Sequence, residues 1–168
     1  ALHTAQHDLN DKTRIEPAEM AERLGRRPIG YGDYQSCGEL RLEQRLPAGE
    51  TSNYRRELDL DTAFARTSFT RGGIRFVREH FASYPDGVLV TRVSASQAAS
   101  VNLNVALDIP DNRTRSIHIE GGRMTAQGAL HDNQLAWEVQ VQVLADGGVV
   151  EVDGDKLTVA GADSVVLI

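Results

Sequence analysis

An antiparallel β-sandwich preceded by one short helix is the fold this sequence predicts, and three observations predict it. From residue 39 onward apolar and polar residues alternate with a period of two, the pattern of strands with one buried and one wet face. Glycine-containing turn signals separate those runs at short intervals. The length of 168 residues is enough for one domain with a real core, and a lone Cys37 leaves no internal disulfide to staple it.

Composition narrows the class further. An apolar content of 40% and a charged content of 25% are those of a soluble globular chain. No apolar run approaches the roughly 18–20 residues of a membrane-spanning helix. A net charge of −6 argues against nucleic acid, whose binding depends on clustered cations. Residues 84–168 carry that whole excess of acid, because acids and bases balance over residues 1–83. Nearly all the cations are Arg, with Lys only at Lys12 and Lys156, which reads as the product of a GC-rich bacterial gene. The chain opens at Ala1 and closes inside the apolar run Val165–Ile168, so the expectation is a piece of a longer protein. No signal peptide is present in these residues.

The helix is expected over residues 13–24. Pro17 suits an early position, Ala18, Met20, Ala21 and Leu24 recur at helical spacing, and Gly25 supplies the stop. A Gly- and Tyr-rich loop follows over residues 28–38. Strands come next. Leu40 and Leu42 alternate with Glu39, Arg41 and Glu43, and Leu58 and Leu60 alternate with Glu57, Asp59 and Asp61. The cleanest run is Val101, Leu103, Val105, Leu107 and Ile109, and Trp137, Val139, Val141 and Val143 repeat the pattern. Gly72-Gly73, Pro85-Asp86-Gly87, Gly121-Gly122, Gly147-Gly148 and Asp153-Gly154 each read as a hairpin turn, since Gly tolerates the positive φ such turns demand. About ten short strands at this spacing make two sheets packed over one core, a single domain.

Chemistry is sparse. Glu57, Asp59 and Asp61 place three carboxylates on one strand face, and a carboxylate pair is what glycoside hydrolysis needs. Alternation with Leu58 and Leu60, and the adjoining Arg55 and Arg56, mark them instead as a solvated outer face. His3 and His7 share a helical spacing but lack a third ligand, and His80, His118 and His131 are scattered, so no metal site is expected. Cys37 has no adjacent base and reads as a loop or buried thiol. Gly30-Tyr31-Gly32 begins a dinucleotide-like pattern that fails at Gln35, and no Walker loop or G-x-S-x-G elbow occurs. Asn112-Arg113-Thr114 is a formal glycosylation sequon, meaningful only in a eukaryotic secretory setting. Tyr31, Tyr34, Tyr54 and Tyr84 are candidates for stacking on sugar rings, whereas Trp137 reads as core and Phe64, Phe69 and Phe76 in part as core.

Tyr34-Gln35, then Gly38-Glu39-Leu40-Arg41-Leu42, then YRRELDLDTAFARTSFTRGGIRFVREHFASYPDGVLVTRV over residues 54–93 resemble the N-terminal domain of glycoside hydrolase family 95, α-L-fucosidases with some α-L-galactosidases. Residues 141–148 and 157–168 are similar to that domain's closing strands. Ser36-Cys37 departs from the family loop, where a Pro and an apolar residue are common. The resemblance implies a mainly β, antiparallel super-β-sandwich. It further implies residues 1–33 as a helix and loop excursion, residues 34–168 as strands, and an (α/α)6 barrel downstream that holds the inverting catalytic groups. No catalytic residue, cofactor or metal ligand is then expected in this chain. Tyr31, Tyr34 and Gln35 remain the expected carbohydrate or interdomain contacts. The expected partners are the chain's own barrel and fucosylated oligosaccharide, with neither nucleic acid nor membrane. A periplasmic or secreted parent is the expected setting. The alternatives are a stand-alone carbohydrate-binding module and a purely structural or assembly sandwich.

Overall fold

The computed structural model describes residues 2–12, 16–25 and 36–168, which fall into two compact units, 1–35 and 36–168. The first unit holds two helices, α1 (Leu2–Lys12) and α2 (Pro17–Leu24). Helix α2 lies within the expected 13–24 span, with Pro17 opening it. Residues 13–15 lie outside the described residues. Gly25 does end the helix, but not by turning left-handed: its φ is −67° and its N–H donates to the Ala21 carbonyl at 2.6 Å. A Cβ there would stand 2.3 Å from that same oxygen, so close approach is what demands glycine. Helix α1 was not expected, because LHTAQHDLNDK offers neither an acidic first turn nor a strong apolar stripe.

The second unit carries twelve strands: β1 (Glu39–Gln44), β2 (Thr51–Asp59), β3 (Phe64–Arg71), β4 (Ile74–Ser83), β5 (Val88–Ala95), β6 (Val101–Asp108), β7 (Ser116–Glu120), β8 (Arg123–Ala129), β9 (Ala136–Asp146), β10 (Val149–Asp153), β11 (Lys156–Ala162) and β12 (Ser164–Leu167). They form two antiparallel sheets, one of four strands ordered β1-β6-β11-β10 and one of eight ordered β2-β3-β4-β5-β12-β9-β8-β7. The mainly β sandwich expected from the period-two pattern is what forms.

Four of the five expected hairpins occur, between β3 and β4, β4 and β5, β7 and β8, and β10 and β11. The fifth does not. Gly147-Gly148 joins β9 of the large sheet to β10 of the small one, so it is a corner between layers. Both glycines have positive φ, +70° and +66°, and a Cβ on Gly148 would stand 2.4 Å from the Ala160 carbonyl oxygen. A glycine pair reverses the chain in either setting, and the sequence signal is the same for both.

The core lies between the sheets. Val101, Leu103, Val105, Leu107 and Ile109 bury fully as expected, joined by Leu157 and Val159 of β11. They meet Val93, Val141, Val143, Val165, Leu167, Met124 and Ala126 of the large sheet. Two expectations for the apolar side fail at the flank. Leu58 is 63% exposed and Leu60 83%. Leu58 does point to the core face, since pairing carries its row through Ala65, His80 and Thr91 to the buried Leu167. Four strands cannot cover eight, so the row leaves the core before it reaches the edge strand β2.

Candidate functional site

Tyr31, Tyr34 and Gln35, the expected contact residues, lie outside the described residues. What the structure does describe is a polar face on the far side of β2–β5, away from the core. Glu57 of β2 pairs across to Arg66 of β3, Arg66 to Glu79 of β4, and Glu79 to Arg92 of β5. The side chains follow the backbone register. Arg66 donates through Nε and Nη2 to Glu79 Oε1 (3.1 and 2.7 Å) and through Nη1 to Glu57 Oε1 at 3.3 Å. Arg55 reaches Glu57 Oε2 at 2.6 Å, and Arg92 lies 3.5 Å from Glu79 Oε2. Directly opposed opposite charges are the favourable cross-strand arrangement, here repeated over four strands. Bonding to Glu79, and then to Glu57, raises the Arg66 pKa above its ordinary value.

The three carboxylates singled out in the sequence do not form a hydrolytic pair. Glu57 is engaged by two arginines. Asp59 accepts from the backbone N–H groups of Asp61 and Thr62 at the β2–β3 turn, 3.0 and 3.3 Å away. The Thr62 hydroxyl and these N–H groups hold its pKa below the usual value, the opposite of what a general acid needs. The burial order inverts the expectation, since the Glu57 side chain is 31% exposed while neighbouring Leu58 is 63% exposed.

Beside the ladder lie two aromatics, one of which, Phe64, is not the core residue expected in part. Phe69 and Phe76 are core, stacked at 5.5 Å, but Phe64 and Phe81 pair on the outer face at 4.8 Å. The available signal was parity: Phe64 shares the face of Arg66, one strand repeat away. Phe64, Arg66, Glu57, Asp59, Thr62 and Glu79 line a cleft of about 690 Å³.

The remaining candidates lie elsewhere than in this cleft. His7 contacts Asp11 one turn on, at 3.1 Å, and His118 lies 3.7 Å from Glu120, both at the surface. His80 is half-buried, its Nδ1 2.9 Å from Thr91 Oγ1, and burial, aided by Arg78, lowers its pKa. No group of three or more metal-ligating side chains gathers among the described residues. Cys37 is exposed. Trp137 packs against the core as expected, with the Arg113 guanidinium 5.5 Å above its ring. Tyr54 and Tyr84 are 61% and 95% exposed. No described helix is long and apolar enough to cross a membrane.

Comparison with known proteins completes the picture. Alpha-L-fucosidase 2 of Arabidopsis thaliana is 28% identical over 193 residues, covering 100% of this chain and 23% of that protein. Probable alpha-fucosidase A of Aspergillus niger is 41% identical over 78 residues, 45% of this chain and 9% of its own. The chain thus spans less than a quarter of the curated relatives it matches. A putative kojibiose phosphorylase from human microbiome shares the fold at a TM-score of 0.50 and 9% identity, over 77% of this chain and 21% of that one. The family described as glycosyl hydrolase family 65, N-terminal domain, matches residues 1–168. That match over the whole chain, on a sandwich of four strands facing eight, shows that the chain belongs to the family of glycosyl hydrolase family 65 N-terminal domains.

Proposed function

We propose that the chain is the non-catalytic N-terminal β-sandwich of an α-L-fucosidase-like glycoside hydrolase. Its catalytic carboxylate would lie in a following (α/α)6 barrel, against which the sandwich packs to help shape the substrate cleft. The observation that carries this reading is the alignment of the whole chain with 23% of an α-L-fucosidase. Neutralised carboxylates on β2 support it, because a hydrolase needs one group held protonated and another free to activate water. Interfaces between domains of one chain bury roughly 600–1,500 Å² and are fairly polar, which suits a sandwich with this many surface arginines and carboxylates. We read the two units, 1–35 and 36–168, as parts of one domain. The arginine bias suggests a bacterial parent, although the relatives named above are plant and fungal. A periplasmic or secreted location fits a substrate met outside the cytoplasm.

The test is hydrolysis of 4-nitrophenyl α-L-fucoside by this chain alone and by the longer protein containing it. Turnover by the longer protein only is expected. Release of nitrophenol by the 168 residues alone would overturn the non-catalytic role. Phosphate-dependent cleavage of glucosyl disaccharides by the longer protein, without fucoside turnover, would overturn the fucosidase assignment.

A further inference from the structure

We propose that the outer face of β2–β4 is a binding patch for neutral oligosaccharides, with the Phe64–Phe81 pair as its stacking floor. The inference goes beyond the packing role above and does not depend on which bond the parent enzyme cleaves. Three features of this face carry it.

The first is the aromatic pair. Phe64 and Phe81 face away from the core, half-buried, with centroids 4.8 Å apart and planes tilted by 32°. Their burial holds the rings in place, while one side of Phe64 lines an open cleft. A pyranose presents a flat patch of C–H groups that suits such a surface, and burying aromatic area is strongly favourable.

The second is the polar rim. Arg55 and Arg66 line the cleft with Glu57, Asp59 and Glu79, and Arg92, outside the lining, lies against Glu79, so that the six charges of this face cancel. A patch of zero net charge with every arginine near a carboxylate offers little long-range attraction to an anion or a cation. It offers many short-range donors and acceptors, the requirement for hydroxyl groups. Hydroxyl-to-carboxylate bonds are charge-assisted and roughly twice as strong as neutral ones. Arg66 is held flat by bonds to Glu57 and Glu79, and Asp59 is tied to the turn by two N–H groups, so these groups need little ordering when a ligand arrives.

The third is size. The cleft of about 690 Å³ falls inside the range of roughly 300–1,000 Å³ seen for small-ligand sites. It admits one or two sugar rings over Phe64.

The experiment is titration of the 15N-labelled 168-residue chain with 2′-fucosyllactose, cellotetraose and maltotetraose, each to about 10 mM, ten times a millimolar dissociation constant. At least one should shift amides of β2, β3 and β4 around Phe64, Arg66 and Phe81. Phe64→Leu, which keeps an apolar side chain but removes the ring, should weaken that binding by about tenfold. Phe64→Tyr should restore it, with circular dichroism and thermal unfolding unchanged in both. Absence of shifts with all three sugars, shifts confined to other strands, or full binding by Phe64→Leu would each overturn the proposal. Binding of an oligogalacturonate about tenfold tighter than any neutral sugar would overturn the neutral-ligand assignment. None of these outcomes bears on whether the longer protein hydrolyses a fucoside, so the two readings fail separately.

Discussion

Leu58 and Leu167 stand in one row of the large sheet, on the same face, yet Leu58 is 63% exposed and Leu167 1%. One residue before each, on the opposite face, stand Glu57 and Val166, ends of a row that runs Glu57–Arg66–Glu79–Arg92–Val166. The two flanks of the sheet are thus organised differently. Around β12 the sheet is held by a dry core under the small sheet. Around β2 there is no such cover, and an ion-pair ladder on the other face organises the strands. Residue type alone does not decide burial here; what decides it is how far the facing layer extends.

That contrast can be broken experimentally. The largest effect belongs to the core: Leu103→Ala should cost about 2–5 kcal/mol, read from the urea midpoint, since its neighbours cannot collapse into the space. Next comes the inter-sheet corner. Gly148→Ala combines a positive φ with backbone contacts as short as 2.4 Å and should cost about 1–3 kcal/mol. At the β10–β11 hairpin, Gly154→Ala meets nothing within 4 Å and should cost only about 1 kcal/mol. Equal losses at the two glycines would remove the distinction between corner and hairpin. A smaller effect concerns His80, in the middle of Leu58's row at the border of the covered region. Its pKa lies below the ordinary 6.5, so the unfolded chain takes up the proton first, and stability falls as pH drops below 6.5 through the folded value. His80→Gln should flatten that part of the curve of melting temperature against pH. The smallest effect is expected at the flank: Leu58→Ser should change stability by no more than about 0.5 kcal/mol. A loss resembling that of Leu103→Ala would show that β2 is covered after all.

Most of the fold was legible because alternation and glycine turns are local signals. Val101 to Ile109 could be read directly as a buried strand, and four glycine turns as hairpins. Gly147-Gly148 could not be told from a hairpin, since whether the next strand stays in its sheet depends on long-range pairing. Leu58 and Leu60 were misplaced for a related reason, because the period of two identifies a face without saying what lies over it. The polar ladder was half visible: Glu57, Arg66, Glu79 and Arg92 are far apart in the chain, and only the register of three successive pairings aligns them. Phe81 carried no signal of its own until its partner Phe64 was placed on the outer face.

The position of β12 has a consequence for how the domain is made. It enters between β5 and β9, strands separated by some forty residues of chain, and hydrogen-bonds to both. Until residues 164–167 leave the ribosome, the β2–β5 meander and the β7–β9 meander have no strand to join them. Assembly therefore waits for the end of this segment, and contacts of such long sequence separation make for slow folding. During that wait the edges of β5 and β9 stand unpaired, which makes the nascent half-sheets targets for chaperones and for mispairing between neighbouring chains.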